Sequence, residues 1–223
     1  MSFVEYPDRE LMMVALSDRI ASQLRRALEV QERATLCVPG GTTPGPVFDV
    51  LSELELDWAR VDVLLNDERW VGEESPRSNT ALLRARLLRN KAAAARLVPL
   101  YAPAPQPEDR LEELSEGVRS ALPLTVLVLG MGADMHTASL FPGADKLEEA
   151  LSDTAPEVMA LRAEAAGEPR ITLTARVLRE AMHCHIVITG AEKRAAIERA
   201  ANLPEIEAPV RTVLPIATIH WAP

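Results

Sequence analysis

Cysteine is nearly absent: only Cys37 and Cys184 occur among 223 residues. They lack C-x-x-C spacing and each sits in an apolar run, which excludes a disulfide framework and predicts reduced core thiols of the kind a reducing cytoplasm keeps. Aromatic residues are also scarce, three Phe, three Trp and two Tyr. Lys+Arg number 24 against 33 Asp+Glu, a net charge of −9, and no basic run occurs. A nucleic acid or an anionic membrane surface would require a basic footprint with aromatics, so neither is an expected partner. Long hydrophobic runs are missing too. No stretch approaches the ~18 apolar residues that span a bilayer, and Met1 to Asp8 carry no basic segment leading into an apolar one. The expectation is a soluble, unexported, cytoplasmic protein.

What is present is ample chain for a core, without internal repeats or low-complexity segments. The simplest organisation is one α/β domain over residues 1–223. Leu- and Val-rich runs at Ala34 to Val38, Val61 to Leu65, Leu124 to Leu129, Val158 to Leu161 and His183 to Thr189 read as strands. The most continuous of them, Leu124 to Leu129, has the pattern of a parallel strand buried on both faces. Phe3 to Tyr6 and Arg96 to Tyr101 are shorter candidates, and Ala217 to Trp221 reads as a closing strand. Helical patterns alternate with these runs. Asp8 is placed to cap a long helix carrying Leu11, Val14, Ala15, Ile20, Leu24 and Leu28, and Ser78-Asn79 to cap another through Leu82, Leu83, Leu87 and Leu88. The expected fold is a mostly parallel central sheet flanked by helices.

The polar residues with chemistry collect where strands end, which is where open α/β sheets put their ligands. After Leu129 comes Gly130-Met131-Gly132-Ala133-Asp134-Met135-His136-Thr137-Ala138-Ser139-Leu140-Phe141-Pro142. Two readings of this loop stand side by side. It is either a turn with a buried histidine satisfied by Asp134, or a catalytic loop bringing an acid, a titratable base and two hydroxyls together. A dinucleotide fingerprint is excluded, because Met135 occupies the third glycine position and Phe141-Pro142-Gly143 interrupts the receiving helix. Gly40-Gly41-Thr42-Thr43-Pro44 joins a strand to a helix, as either a tight turn or an anion site built from backbone N–H groups; it is not a Walker A loop. Asp67-Glu68-Arg69 tops another strand, with Arg69 either in a local ion pair with Asp67 or Glu68 or acting as a phosphate clamp. Arg170 is placed to face the same cleft. Lys193 stands in the first turn of a helix, where the dipole disfavours a cation unless an anion is near. His183 and His185 point to one strand face, but no third metal ligand lies at suitable spacing, so no metal is expected.

Taken together, Gly40-Gly41-Thr42-Thr43-Pro44, Asp67-Glu68-Arg69 with Ser78-Asn79, Gly130-x-Gly132-x-Asp134-x-His136-Thr137-Ala138-Ser139-Leu140-Phe141-Pro142, Arg170-Ile171-Thr172-Leu173-Thr174 and Gly190-x-x-Lys193 resemble the 6-phosphogluconolactonase family of the glucosamine-6-phosphate deaminase/isomerase superfamily. The resemblance implies a modified Rossmann-type fold and cofactor-free hydrolysis of a phosphorylated sugar lactone, 6-phosphoglucono-δ-lactone, in the oxidative pentose phosphate pathway. By the same resemblance His136 is the general base, with Asp134 either orienting its ring or binding sugar hydroxyls. Arg69 and Lys193 clamp the phosphate, backbone N–H groups of Gly40, Gly41, Thr42 and Thr43 complete the cradle, and Asp67 lines the pocket near the sugar. The sequence departs from the family pattern at Pro39 (commonly Ser), Gly72 (commonly Pro) and Met135 (commonly Gly). Two rivals share the fold. The deaminases resemble His-Ile-Ala-Phe-Asn-Glu-Pro after the histidine, unlike His136 to Pro142 here, and a non-catalytic sugar-phosphate sensor would not need an intact His136.

Overall fold

In the computed structural model, which describes residues 2–223, the elements run in chain order β1 (Ser2–Glu5), α1 (Arg9–Val30), β2 (Ala34–Val38), α2 (Gly45–Glu53), β3 (Val61–Leu65), β4 (Asp67–Arg69), α3 (Asn79–Arg86), β5 (Arg96–Val98), α4 (Leu111–Arg119), β6 (Val126–Leu129), α5 (Leu147–Leu151), β7 (Val158–Leu161), β8 (Arg170–Leu173), α6 (Ala175–Arg179), β9 (His183–Thr189), α7 (Gly190–Ala200) and β10 (Ala217–Ala222). Every residue of β2, β3 and β6 is buried, as their lack of polar alternation requires. The predicted bounds of β2, β3, β7 and β9 coincide with the observed ones. Cys37 and Cys184 are free and buried, and burial raises both thiols, Cys184 to about 12.

Seven strands form one parallel sheet in the order β1-β10-β9-β6-β2-β3-β5. The chain builds outward from β2 through β3 to β5, then crosses back to lay β6, β9 and β10 on the other side of β2. Loops leaving β2 and β6 therefore diverge, opening a crevice at their carboxyl ends. A second sheet, antiparallel and in the order β4-β8-β7, stands just beyond the end of β3, with Asp67 opposite Thr172, Glu68 opposite Ile171 and Arg69 opposite Arg170.

Asp8 caps α1 by accepting from the Leu11 N–H at 2.8 Å. The buried side of α1 carries Met12, Met13, Leu16, Ile20, Leu24 and Leu28, whereas Leu11 and Val14, expected in the apolar stripe, are 48% and 43% exposed. The physical reason is phase. At 100° per residue the i, i+4 series from Met12 fixes the inner face, and Leu11 and Val14 fall on the far side of it. β10 is a strand as expected, but it is interior to the sheet, lying between β1 and β9.

Beneath α1 runs a buried polar chain. Tyr6 Oη lies 2.9 Å from His220 Nδ1, His220 Nε2 3.0 Å from His185 Nδ1, and His185 Nε2 2.8 Å from Gln23 Oε1. Gln23 Oε1 only accepts, so with both imidazoles neutral, the state that burial favours, donation runs from Tyr6 through both rings to Gln23. Burial pushes His185 down to about 3 and His220 to about 4. The unfolded chain therefore takes up two protons near pH 6.5 that the folded chain refuses, and stability is lost as pH falls from 6.5 toward 4. Urea unfolding is expected to show the pair lowering stability by about 2 kcal/mol between pH 7 and 5.5. His185→Gln/His220→Gln should flatten that slope whatever it does to the absolute stability; an unchanged slope would refute the assignment.

Candidate active site

The crevice between the β2 and β6 loops is a cavity of about 390 Å³. Its wall includes Gly40, Gly41, Thr42, Thr43, Asn66, Asp67, Arg69, Asn79, Gly132, His136, Phe141, Arg170 and Lys193. Of the ten candidate residues named from sequence, nine line it; Asp134 does not.

Strand geometry explains the cationic side. Successive residues of β4 point to opposite faces, so Asp67 and Arg69 share the cavity face while Glu68 turns away from it. Arg170, directly across from Arg69 in the register, faces the same way. Like charges directly opposite on a sheet repel, so this pairing favours an anion between them. Arg69 is tethered through Nη1 to the Arg77 carbonyl at 2.6 Å and Asn79 Oδ1 at 3.0 Å, and Arg170 through Nη2 to the Ala166 carbonyl at 3.2 Å. The Nε of each is buried without a protein partner. Neither expected local ion pair forms. Asp67 instead accepts from Ser139 Oγ at 2.5 Å and lies 3.5 Å from Arg170 Nη1, and Glu68 accepts the Arg69 backbone N–H at 2.8 Å. Burial is the main influence on the Arg170 guanidinium and holds its pKa below the usual arginine value, with Arg69 adding to the fall and Asp67 opposing it.

Lys193, in the first turn of α7, donates from Nζ to the Met131 carbonyl. Gly41, Thr42 and Thr43 are exposed on the cavity rim. None of the backbone N–H groups of Gly40, Gly41, Thr42 and Thr43 has a protein acceptor among the described residues. α2 begins at Gly45 with Pro44 as its N-cap residue. Three cations and one acid, Asp67, thus face the cavity of a chain whose net charge is −9.

The β6 loop carries His136, the candidate base. His136 Nδ1 lies 2.5 Å from Asp134 Oδ1 and its backbone N–H 3.2 Å from the same oxygen. The hydrogen bond from His136 holds the Asp134 carboxyl below the usual carboxylate range; with a carboxylate as its partner Nδ1 is the donor, and in the neutral ring the lone pair is then on Nε2. Nε2 has no protein partner among the described residues. Phe141 stacks on the imidazole at 4.3 Å between centroids, and the Arg170 guanidinium lies 5.6 Å from the same phenyl ring. A Cβ at residue 132 would overlap the His136 ring and the Asp134 carboxylate, so glycine is required there. Ser139 ties the loop to the small sheet, donating from Oγ to Asp67 and from its backbone N–H to the Thr172 hydroxyl oxygen at 3.1 Å.

Across these elements the sequence profile described as "Glucosamine-6-phosphate isomerases/6-phosphogluconolactonase" matches residues 7–221. The chain belongs to this family. A 6-phosphogluconolactonase of Mesorhizobium japonicum is 44% identical over 98% of this chain and 94% of its own. A crystal structure of a 6-phosphogluconolactonase from Shewanella baltica superposes with a TM-score of 0.96 at 31% identity, covering 100% of this chain and 98% of that one. The fold alone extends to a monomeric glucosamine-6-phosphate deaminase, with a TM-score of 0.82 at 16% identity over 100% of this chain and 97% of the deaminase. Among the described residues no helix is long and apolar enough to cross a membrane.

Against the family pattern, Met135 takes φ +66°, a left-handed conformation that glycine adopts freely. Its side chain is buried, and its carbonyl accepts from the Val210 N–H at 3.1 Å. Sequence reasoning missed the side chain of Asn79. Ser78 does cap α3, accepting from the Ala81 N–H at 3.1 Å, but Asn79 turns into the cavity wall, bonded to Arg69 and to the Asp67 carbonyl. Phe141 was also missed as a support for His136, because an aromatic in a loop carries no signal of what it stacks on.

Proposed function

We propose that the chain hydrolyses 6-phosphoglucono-δ-lactone to 6-phosphogluconate, with His136 as general base, Asp134 orienting it, and no cofactor. The observation carrying this reading is an imidazole with one nitrogen fixed by a carboxylate and the other free, on the wall of a cavity that also holds Arg69, Arg170 and Lys193. A substrate with an anionic phosphate at one end and a neutral electrophilic carbonyl at the other matches that combination. The phosphate is held by Arg69 and Lys193, with Arg170 and the backbone N–H groups of Gly40 to Thr43 beside them, and remote binding fixes the lactone carbonyl near His136. Asp67 lies beside the sugar.

Water attacks the lactone carbonyl carbon as its proton passes to His136 Nε2. The tetrahedral intermediate then expels the ring oxygen, which takes the proton back from the imidazolium. The new carboxylic acid ionises, releasing one proton per turnover. Proton release in weakly buffered medium, with the lactone generated in situ, is expected to exceed the spontaneous rate. No acceleration by folded protein would sink the lactonase reading, and ammonia release from glucosamine 6-phosphate would replace it with a deaminase.

A further inference from the structure

We infer that Glu68, which does not line the cavity, is the positioning residue for the anion clamp, holding Arg69 and Asn79 in place from behind. This rests on the lactonase reading for the identity of the anion.

Glu68 is fully buried. Its Oε1 accepts the backbone N–H of Arg69 at 2.8 Å and of Asn79 at 2.9 Å. Its Oε2 accepts the N–H and the hydroxyl of Thr80, each at 2.7 Å, and the Ser78 hydroxyl at 3.3 Å. One side chain thus grips β4 at Arg69 and the first turn of α3. A helix cap alone would need much less, because Ser78 already caps α3, and the contact to the Arg69 N–H serves no helix end.

The link onward is Asn79. Its Nδ2 donates to the Asp67 carbonyl at 3.1 Å and its Oδ1 accepts from Arg69 Nη1 at 3.0 Å. Its side chain also occupies the space a Cβ at residue 40 would need, so the same group abuts the β2 loop. Arg69 faces Arg170 across the ladder and, left mobile, would swing away from that like charge. Glu68 prevents this by fixing the strand-to-helix spacing from which Asn79 reaches the guanidinium. Charge-assisted and bidentate recognition of phosphate depends on that geometry.

The test is a double-mutant cycle with Glu68→Gln and Arg69→Ala, read in KM and kcat for the lactone and in calorimetric Kd for 6-phosphogluconate. Glu68→Gln keeps the shape but turns an N–H toward N–H donors. Alone it should raise KM and Kd by about tenfold or more, with kcat within about threefold, since the chemical groups are untouched. In the Arg69→Ala background the same change should alter Kd by less than about twofold, although the loss in urea midpoint is equal in both backgrounds. An equal Kd factor in both backgrounds, or none in either, would overturn the proposal by reducing Glu68 to a fold residue. Should Glu68→Gln not fold, Asn79→Ala takes its place in the cycle with the same expectations for Kd; its urea midpoint is expected to fall less in the Arg69→Ala background, because Asn79 bonds Arg69 directly. A wild type that binds 6-phosphogluconate without hydrolysing the lactone removes the lactonase reading and leaves the cycle legible in Kd; one that does neither removes both.

Discussion

Replacing His136 with alanine is expected to lower kcat by ~10²–10⁴-fold while KM moves by less than about threefold, the usual span for loss of a general base. The argument rests on the division of labour at the ring. Nδ1 is committed to Asp134 at 2.5 Å, so the proton from water has one place to go, Nε2. The residues proposed to hold the phosphate, Arg69, Arg170 and Lys193, lie on β4, β8 and α7, none of which His136 touches through a hydrogen bond, so ground-state binding is expected to survive its removal. Asp134→Asn should reproduce a large part of the kcat loss. The carboxamide can present its N–H to Nδ1 and hold the ring in the wrong tautomer, and the double variant should be little worse than His136→Ala alone. Initial rates of proton release above the spontaneous background decide the matter; near-normal turnover by His136→Ala would remove it from the mechanism.

The second large effect is expected on binding. Arg69→Ala and Lys193→Met should each raise KM by roughly 10–100-fold with kcat little changed, corresponding to loss of a charge-assisted hydrogen bond worth ~1.5–3 kcal/mol. The two differ in their effect on the fold. Lys193 places a cation in the first turn of α7, at the positive end of the helix dipole, so relief of that repulsion should offset the loss of its one bond, to the Met131 carbonyl, and leave the stability of the unbound protein little changed. Arg69 satisfies the Arg77 carbonyl and Asn79 Oδ1, and its loss should lower the thermal midpoint. A KM for Lys193→Met equal to that of the wild type would exclude the amine from the clamp.

The parts of this architecture legible in sequence were those fixed by local pattern. Strands β2, β3, β7 and β9 were readable to the residue because their apolar runs end abruptly at Pro39, Asn66, Arg162 and Gly190. The cavity was readable as a set of strand-end loops, since strand ends on one edge of a parallel sheet must lie close together. What was not legible depended on partners distant in the chain. The three charged residues of β4 have no strand signature, and they pair because β8 lies alongside. The inner face of α1 was misjudged because Leu11 and Val14 are as apolar as the Met12 and Met13 beside them, and composition does not set the phase. Asp134 was placed in the right loop, yet only the backbone turn at Gly132 and Met135 shows that it lies behind the histidine, off the cavity wall.

The position of β10 bears on how the protein is made. β1 pairs with β10 alone, with Ser2 opposite Thr218, and β10 in turn joins β1 to β9. During synthesis β1 therefore has no sheet neighbour until β10 has been made. Meanwhile the sheet from β9 to β5 has all its own partners and can consolidate as synthesis proceeds. Closing a loop of such length is slow compared with the local βα units. Until β1 docks, β10 is the open edge of the sheet, offering a bare parallel strand to whatever holdase or stray chain meets it first.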